Sequence, residues 1–590
     1  MPQVARLATA ENVEFIPCER PFSNFDFVEK RKFSGIPPLR RILSQARVHK
    51  AQTIVIEEPL RDASDLLEEE EDIRKWRPDF QSKNVRSCRL SFFRDAISSS
   101  SIKSVPDGSL IGYAIYRQDA IKARVHESVM VTSPRENHFV RGAPSWTCAI
   151  AGRQFPITGY MYAQQNTVTN SCAHVAVRTV AGRFLRGDLS YRQMNEWVSQ
   201  YRRARSIVEV PPSDGLTSDE MCHILQQAGA NTLVGDYRRT ERPPVPYQLR
   251  LYSSIESGFP GIVFFGTERN APGGGRAYHV IPVFGHTFNE DTWTSGAELL
   301  YFPLRKATKC LTSGAWVSMF LGHDDNAGSN FCIPQHYMEP NRFCRDEHGN
   351  AILDQHGHPT SCRQQGGSVA YTISTLPAGI DSDPIEAEAI GADYLLAILR
   401  EVPGNFPGWL ERWQKRLAQK GAGEILVRPP EGMVLRTTFL TGSEYCRHLS
   451  AVRGWDRTKR IPDWITEVLS PISDDPFWIV EVSLPELFSA NRRKVGEVLI
   501  RADRRPSVDR DAGSFLLARL PGCFVLLEPS GSKAAQGDRP TFCYIPVDIY
   551  DHVELIGCED RFPTDLPVDR LGRLRSFCGA VSRVFRGFVK

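Results

Sequence analysis

The sequence predicts an α+β protein of several domains, and three observations carry that expectation. The chain has 590 residues, well past the size at which one hydrophobic core stops growing, so about three domains are expected. Hydrophobic residues make up 41% and charged residues 24%, the balance of a folded globular chain and not of a disordered one. In the middle third, helix signals come first and strand signals follow, an order that gives segregated α+β layers and not a repeating βαβ sheet.

Charge and hydropathy narrow the function classes. Lys and Arg number 72 against 69 Asp and Glu, a net charge of +3, which gives no electrostatic case for a nucleic-acid partner. Short basic stretches at 202–205, 492–494, 570–575 and 583–586 read as solvated helix faces. The N-terminal MPQVARLATAENVEFIPCERP has no apolar run that could serve as a signal-peptide core. No stretch approaches the roughly 18 apolar residues of a membrane span, so a cytoplasmic protein without a membrane partner is expected. The 14 cysteines are then expected to be free, metal-bound or catalytic, most of them as buried structural thiols. Oligomeric state is left open.

Residues 1–50 are mixed in character and rich in Arg and Pro, which reads as a loosely docked arm. A first α+β domain, 51–155, opens with the strand-like run Ala51-Gln-Thr-Ile-Val-Ile. The acidic segment 66–76, LLEEEEDIRKW, suits a helix with a solvated face. Strand candidates follow at 88–93 and 110–116. In the next region, 156–340, a helix begins near Ser171. Ser190 and Thr217 are followed three residues later by Gln193 and Glu220, the capping-box pattern that announces two further helices. Gly229 sits where the last of them should stop. The period then changes, and 261–265, 278–284 and 316–321 read as buried or half-buried strands. Residues 341–375 are polar and rich in Gly, His and Gln, and read as a long loop or hairpin. The remaining 376–590 read as a further α+β domain, with helices at 387–400 and 409–420 and strands at 477–482, 495–500, 515–518 and 523–527.

The strongest chemical signal lies in Tyr160-Met-Tyr-Ala-Gln-Gln-Asn-Thr-Val-Thr-Asn-Ser-Cys-Ala-His. Cys172 follows a polar loop and opens a helix in which Ala176, Val180 and Phe184 recur at helical spacing. A thiol in the first helical turn faces unsatisfied N–H groups, and the dipole there favours the thiolate. The thiolate is the nucleophilic form. The Cys172 amide and a Gln just upstream can both donate to the oxyanion of an attacked carbonyl. His174, two residues further on, points elsewhere on the helix and reads as a packing or supporting residue.

These residues resemble the papain-like cysteine peptidases, closest to the bacterial branch similar to double-glycine leader peptidases. The resemblance covers 156–340 and implies a helical half packed on an antiparallel strand half, flanked by N-terminal and C-terminal α+β domains. It implies a Gln shortly before the Cys. Gln165 is taken for this donor, with Gln164 and Asn166 beside it. It implies a base at the head of a later strand, followed by apolar residues and then Gly. His279 through Gly285, after the loop Gly273-Gly-Gly, matches. It also implies an acid that holds the other ring nitrogen. Asp324, in Gly322-His-Asp-Asp-Asn-Ala-Gly, is chosen, with Asp325 and Asn326 as alternatives; Asn289 and Asp291 read as hairpin-turn residues. The implied activity is hydrolysis of a peptide or isopeptide bond in a peptide or protein substrate, without a cofactor. A transglutaminase-like acyl transferase on the same fold, or a papain-fold binding protein without turnover, are the alternatives.

Other constellations are weaker. Cys332, His336, Cys344, His348, His356, His358 and Cys362 are dense in zinc-ligand types, but the paired Cys-x2-Cys spacing of structural zinc is missing. They read as turn residues. Gly273-Gly-Gly lacks the Lys-Ser/Thr of a phosphate loop, and neither a His-Glu-x-x-His nor a Gly-x-Ser-x-Gly motif occurs.

Overall fold

The computed structural model describes residues 35–132, 138–237, 245–270, 276–288, 310–334, 369–405, 433–451, 475–483, 493–502 and 514–527, apart from a few positions within them, together with short stretches elsewhere. The chain is α+β, with helices packed on largely antiparallel sheets. It divides into two compact units. One comprises 1–242, 258–286 and 319–378; the other comprises 243–257, 287–318 and 379–590. Among the described residues no helix is long and apolar enough to cross a membrane.

After a two-residue strand, Gln3–Val4, the first unit continues with a strand, Thr9–Pro17 (β1), and a helix, Pro37–Val48 (α1). Pro37 and Pro38 open α1, where a missing N–H costs no hydrogen bond. Leu39, Ile42, Leu43 and Ala46 recur on one face and are buried. They pack in one core with Leu90, Phe92, Ile111 and Tyr116. The expectation of a loosely docked arm is therefore corrected: an amphipathic stripe and a paired strand integrate this segment. β1 pairs antiparallel with Thr53–Arg61 (β2).

Helix Ser64–Trp76 (α2) follows, then strands Arg86–Phe93 (β3), Leu110–Gln118 (β4) and Ala123–Met130 (β5). A tight hairpin, Ser145–Ile150 (β6) and Arg153–Thr158 (β7), turns through Ala151 and Gly152, both at positive φ. The two-residue strand Met161–Tyr162 (β8) closes a six-stranded antiparallel sheet in the order β8-β5-β4-β3-β2-β1. Because β8 pairs with β5, the expected boundary at 155/156 does not separate two bodies: the chain on both sides belongs to one unit. α2 keeps the solvated face expected of it, at Glu71, Arg74 and Lys75, and turns its other face inward. Glu69 is buried against Arg117, Arg124 and His126, since β4 and β5 present buried cations that an acidic helix neutralises.

Three helices come next, Cys172–Ala181 (α3), Tyr191–Ala204 (α4) and Ser218–Gln227 (α5). Ser190 and Thr217 cap α4 and α5 through Gln193 and Glu220 N–H groups, as their spacing predicts. The helices share a core with a second, seven-stranded sheet, in which Val177, Val180, Met194 and Leu225 meet Ile262, Phe264, Val280 and Ile373. Its main path runs Ala230–Asp236 (β9), Val369–Pro377, Gly261–Asn270 (β10), Arg276–Phe288 (β11), Val317–Asp324 (β12) and Gly328–Pro334 (β13). Helices first and strands after is thus the order found. The strand 369–377 (β14) falls where a long loop or hairpin was expected to run to 375. Its Val369, Ala370, Ile373 and Leu376 are buried, and it bridges β9 and β10, so burial on both sides outweighs its polar neighbours.

In the second unit a sheet runs Leu311–Thr312, Val434–Thr441, Pro476–Ser483, Gly496–Arg501, Phe515–Leu520, Cys523–Leu527 and Phe542–Pro546, with helices Tyr247–Glu256, Pro384–Asn405 and Gly442–Ala451. Residues 247–256 therefore leave the expected 156–340 body. Lys494, expected on a solvated face, is buried and paired with Glu481 at 2.8 Å and with Glu497. Arg202 of the first unit is likewise buried, 2.6 Å from Glu220. The expected helix at 409–420, the basic stretches 570–575 and 583–586, and Asn289 and Asp291 lie outside the described residues.

Candidate active site

Cys172 is the first residue of α3, after an extended N-cap at Ser171 with φ −121° and ψ 177°. The start of the helix is held by its own third residue. The Ser171 N–H donates to His174 Nδ1 at 3.2 Å, and His174 Nε2 donates to Asn195 Oδ1 at 3.0 Å. Asn195 in turn donates to the Thr169 carbonyl at 3.0 Å. Burial lowers the His174 pKa to about 4, so this imidazole is neutral and accepts the N–H that an ordinary cap would leave to water. His174 takes the supporting place expected of it. Further along α3, buried Arg178 reaches Glu127 on β5 at 3.1 Å and Asp188 at 2.6 Å, while Thr179 Oγ1 donates to the Met161 carbonyl at 2.9 Å.

His279 lies on β11, in register with Phe265 of β10, whose ring stands perpendicular to the imidazole at 5.1 Å. Its Nε2 is 3.3 Å from Asp324 Oδ1 and 3.6 Å from Asp325 Oδ1. Burial alone would lower the His279 pKa, but the nearness of Asp324 and of the Cys172 thiol, with the charges of both aspartates, pushes it up to about 10. An imidazole with its Nε2 turned to an acid has Nδ1 left for the thiol. Burial tends to raise the Asp324 pKa, yet His279 and the N–H groups of Asn326 and Ala327 hold it below the usual aspartate value. Burial raises that of Asp325, against the pull of His279, Lys122 and Gln165. The His279 and Asp324 side chains keep 13% and 16% of their exposure against 3% for Asp325, so the first two can meet an incoming molecule.

The close approach of β11 and β12 depends on Gly322, where a Cβ would lie 2.3 Å from the Pro282 carbonyl oxygen. His323, next to the acid, is neutral and structural. Its Nε2 donates to the Tyr160 carbonyl at 3.1 Å, its Nδ1 accepts the Asn330 N–H at 3.0 Å, and burial lowers its pKa to about 4.

The three upstream amides take different places. Gln164 accepts the Val125 N–H at 2.8 Å and donates to the Asp325 carbonyl at 3.0 Å. Asn166 is fully buried and shapes the loop itself, accepting the Val168 and Thr169 N–H groups at 2.9 Å. Gln165 is half-buried and lies beside the Asp325 carboxylate, whose pKa it helps to lower. An amide carries two N–H donors, and one can turn to another acceptor. Residues 165, 172, 279 and 324, expected as one constellation, are thus brought to one place. Sequence reasoning named Asp325 only as an alternative to Asp324, and missed the roles of Asn166 and Lys122. The Asn-x-x-x-Asn spacing of 166 and 170 in a polar loop was the available signal for Asn166; none marked Lys122.

Among the described residues, two groups of ligand-type atoms lie within 4.8 Å of one another, His279 with Asp324 and Asp325, and Asp65 with His126 and Glu127. In the first the imidazole faces both acids, and in the second Arg178 is 3.1 Å from Glu127. Of the zinc-type cluster, His336, Cys344, His348, His356 and His358 lie outside the described residues. A cavity of about 560 Å³ opens behind the start of α3, lined by Thr169, His174, Asn195, Trp76 and Val210 and not by His279 or Asp324. Comparison with protein families, with curated proteins and with solved structures finds no match to this chain.

Proposed function

We propose that the first unit is a papain-like cysteine peptidase that hydrolyses a peptide or isopeptide bond, with Cys172 as nucleophile, His279 as base and Asp324 as the acid that orients it. The observation that carries this reading is the convergence on His279 of a helix-start thiol and a turn-locked carboxylate, from strand, helix and turn far apart in sequence. His279 accepts the Cys172 proton, and the sulfur forms a bond to the substrate carbonyl carbon. The Cys172 N–H and a side-chain N–H of Gln165 face the oxyanion. As the tetrahedral adduct collapses, protonated His279 gives its proton to the departing amine. Water, deprotonated by His279, then attacks the thioester and releases the acid and the thiol.

The test is carbamidomethylation by iodoacetamide at pH 6, mapped cysteine by cysteine. Cys172 is expected to react first, and His279→Ala to remove that preference. A Cys172 no faster than the other accessible thiols would overturn the reading. With a cleavable peptide in hand, product mass decides the bond made, since hydrolysis adds water and transfer adds an amine.

A further inference from the structure

We infer that Glu69 on α2 and Asn166 form a strut that positions the nucleophile loop, which makes the N-terminal part of this unit a working piece of the catalytic centre; the inference rests on the reading above. Asn166 lies between the proposed oxyanion donor Gln165 and the nucleophile Cys172, and its side chain is 0% exposed. Its Oδ1 accepts three successive N–H groups, those of Val168, Thr169 and Asn170, at 2.9, 2.9 and 3.3 Å. Its own N–H donates to Asn170 Oδ1 at 2.7 Å. One side chain therefore sets the whole path from Gln165 to the N-cap of α3. That path includes Thr167 at φ 64°, a left-handed conformation that a β-branched residue adopts only when its surroundings impose it.

The loop is not held from within alone. Asn166 Nδ2 donates to Glu69 Oε1 at 2.8 Å and to Thr169 Oγ1 at 2.7 Å. The other Glu69 oxygen faces Arg124 at 3.0 Å and Arg117 and His126 at 3.3 Å. Those cations sit on β4 and β5, and β5 also pairs with β8 and binds Gln164. Glu69 thus ties the loop to a buried, charge-compensated frame that cannot shift without stranding a charge. The distance and angle between Cys172, Gln165 and His279 follow from that frame. Both residues act through others and are positioning residues.

The test is a charge-exchange cycle on the pair, read by Cys172 carbamidomethylation at pH 6 and by the melting temperature. Glu69→Gln keeps a carbonyl oxygen for Asn166 Nδ2 but withdraws the charge that faces Arg117, Arg124 and His126, and should melt earlier and react a few-fold more slowly than the natural protein. Asn166→Asp keeps the acceptor for the three N–H groups but sets a carboxylate against Glu69, and should slow the reaction about tenfold, the order expected when a reacting group is misplaced by a fraction of an ångström. Combining N166D with E69Q restores a donor–acceptor pair with reversed polarity and should recover most of the rate. N166D molecules that melt earlier yet react at the natural rate would overturn the strut while leaving the catalytic reading intact, as would a double variant no faster than N166D. A natural protein without preference for Cys172 would instead overturn the catalytic reading, and the strut with it.

Discussion

The carboxylate oxygen of Asp324 that accepts the N–H groups of Asn326 and Ala327, at 2.8 and 3.1 Å, also lies 3.3 Å from Nε2 of His279. An acid at a strand end commonly just caps its turn. Here capping and orienting are one arrangement, because the turn fixes the side-chain rotamer that faces the imidazole. Asp324→Ala is expected to bring the His279 pKa down from about 10 towards the ordinary value of 6.5, and Asp325→Asn to move it less, since that acid is further away. Imidazole C–H chemical shifts followed by NMR across pH would measure both. A larger shift in D325N would reverse the assignment.

The raised His279 pKa also has a sign in stability. A group whose pKa is higher folded than unfolded stabilises the fold fully below its unfolded value, near 6.5, and that contribution disappears as pH climbs through the folded value of about 10. The stability gap between the natural protein and His279→Gln should therefore be larger at pH 6 than at pH 10.5. Urea denaturation at the two pH values checks this, and a gap that grows with pH would contradict it.

Thiol chemistry should be selective. Burial pushes Cys148 and Cys310 up to about 12 and Cys222 to about 11. These three are expected to remain unmodified in the folded protein at pH 7 while Cys172 is consumed. Peptide mass spectrometry after brief labelling reads this directly, and equal labelling of Cys148 and Cys172 would exclude it.

Removing Glu69 from the buried frame should be felt. In Glu69→Ala, Arg117 keeps Glu70, Arg124 keeps Asp119 and His126 keeps Asp65, but buried donors lose an acceptor, expected to cost about 1–3 kcal/mol, measured by urea unfolding. A loss below about 1 kcal/mol, the size of a surface pair, would mean that the frame is hydrated and not sealed.

Gly322→Ala tests the approach of β12 to β11. The added Cβ meets the Pro282 carbonyl at 2.3 Å, backbone that cannot swing away, so about 1–3 kcal/mol of destabilisation is expected. The displaced strand should carry Asp324 off His279, and the preference for Cys172 at pH 6 should fall. Unchanged labelling in a destabilised protein would show that the turn holds Asp324 by itself.

Local chemistry was legible in the chain. Ser190 and Thr217 announce α4 and α5, Cys172 opens α3 after a polar loop, and the apolar runs around 262 and 280 form strands, because caps and hydrophobic period act within a few residues of one another. The 1–50 segment was misjudged because composition obscured a stripe of only four apolar residues on α1. β14 was misjudged because its partners β9 and β10 lie more than a hundred residues away.

By itself, then, the sequence determined the α+β order, the helix that begins at Cys172, and the short set of histidines and acids from which a base and its partner could be drawn. Only the tertiary structure decided that His279 faces Asp324 first and Asp325 second, that Gln164 is spent as a fastener while Gln165 is not, and that an acidic helix turns inward to hold Asn166. The reason is physical. A hydrogen-bonding or charged side chain has no preferred partner until folding chooses its neighbours and removes water from between them.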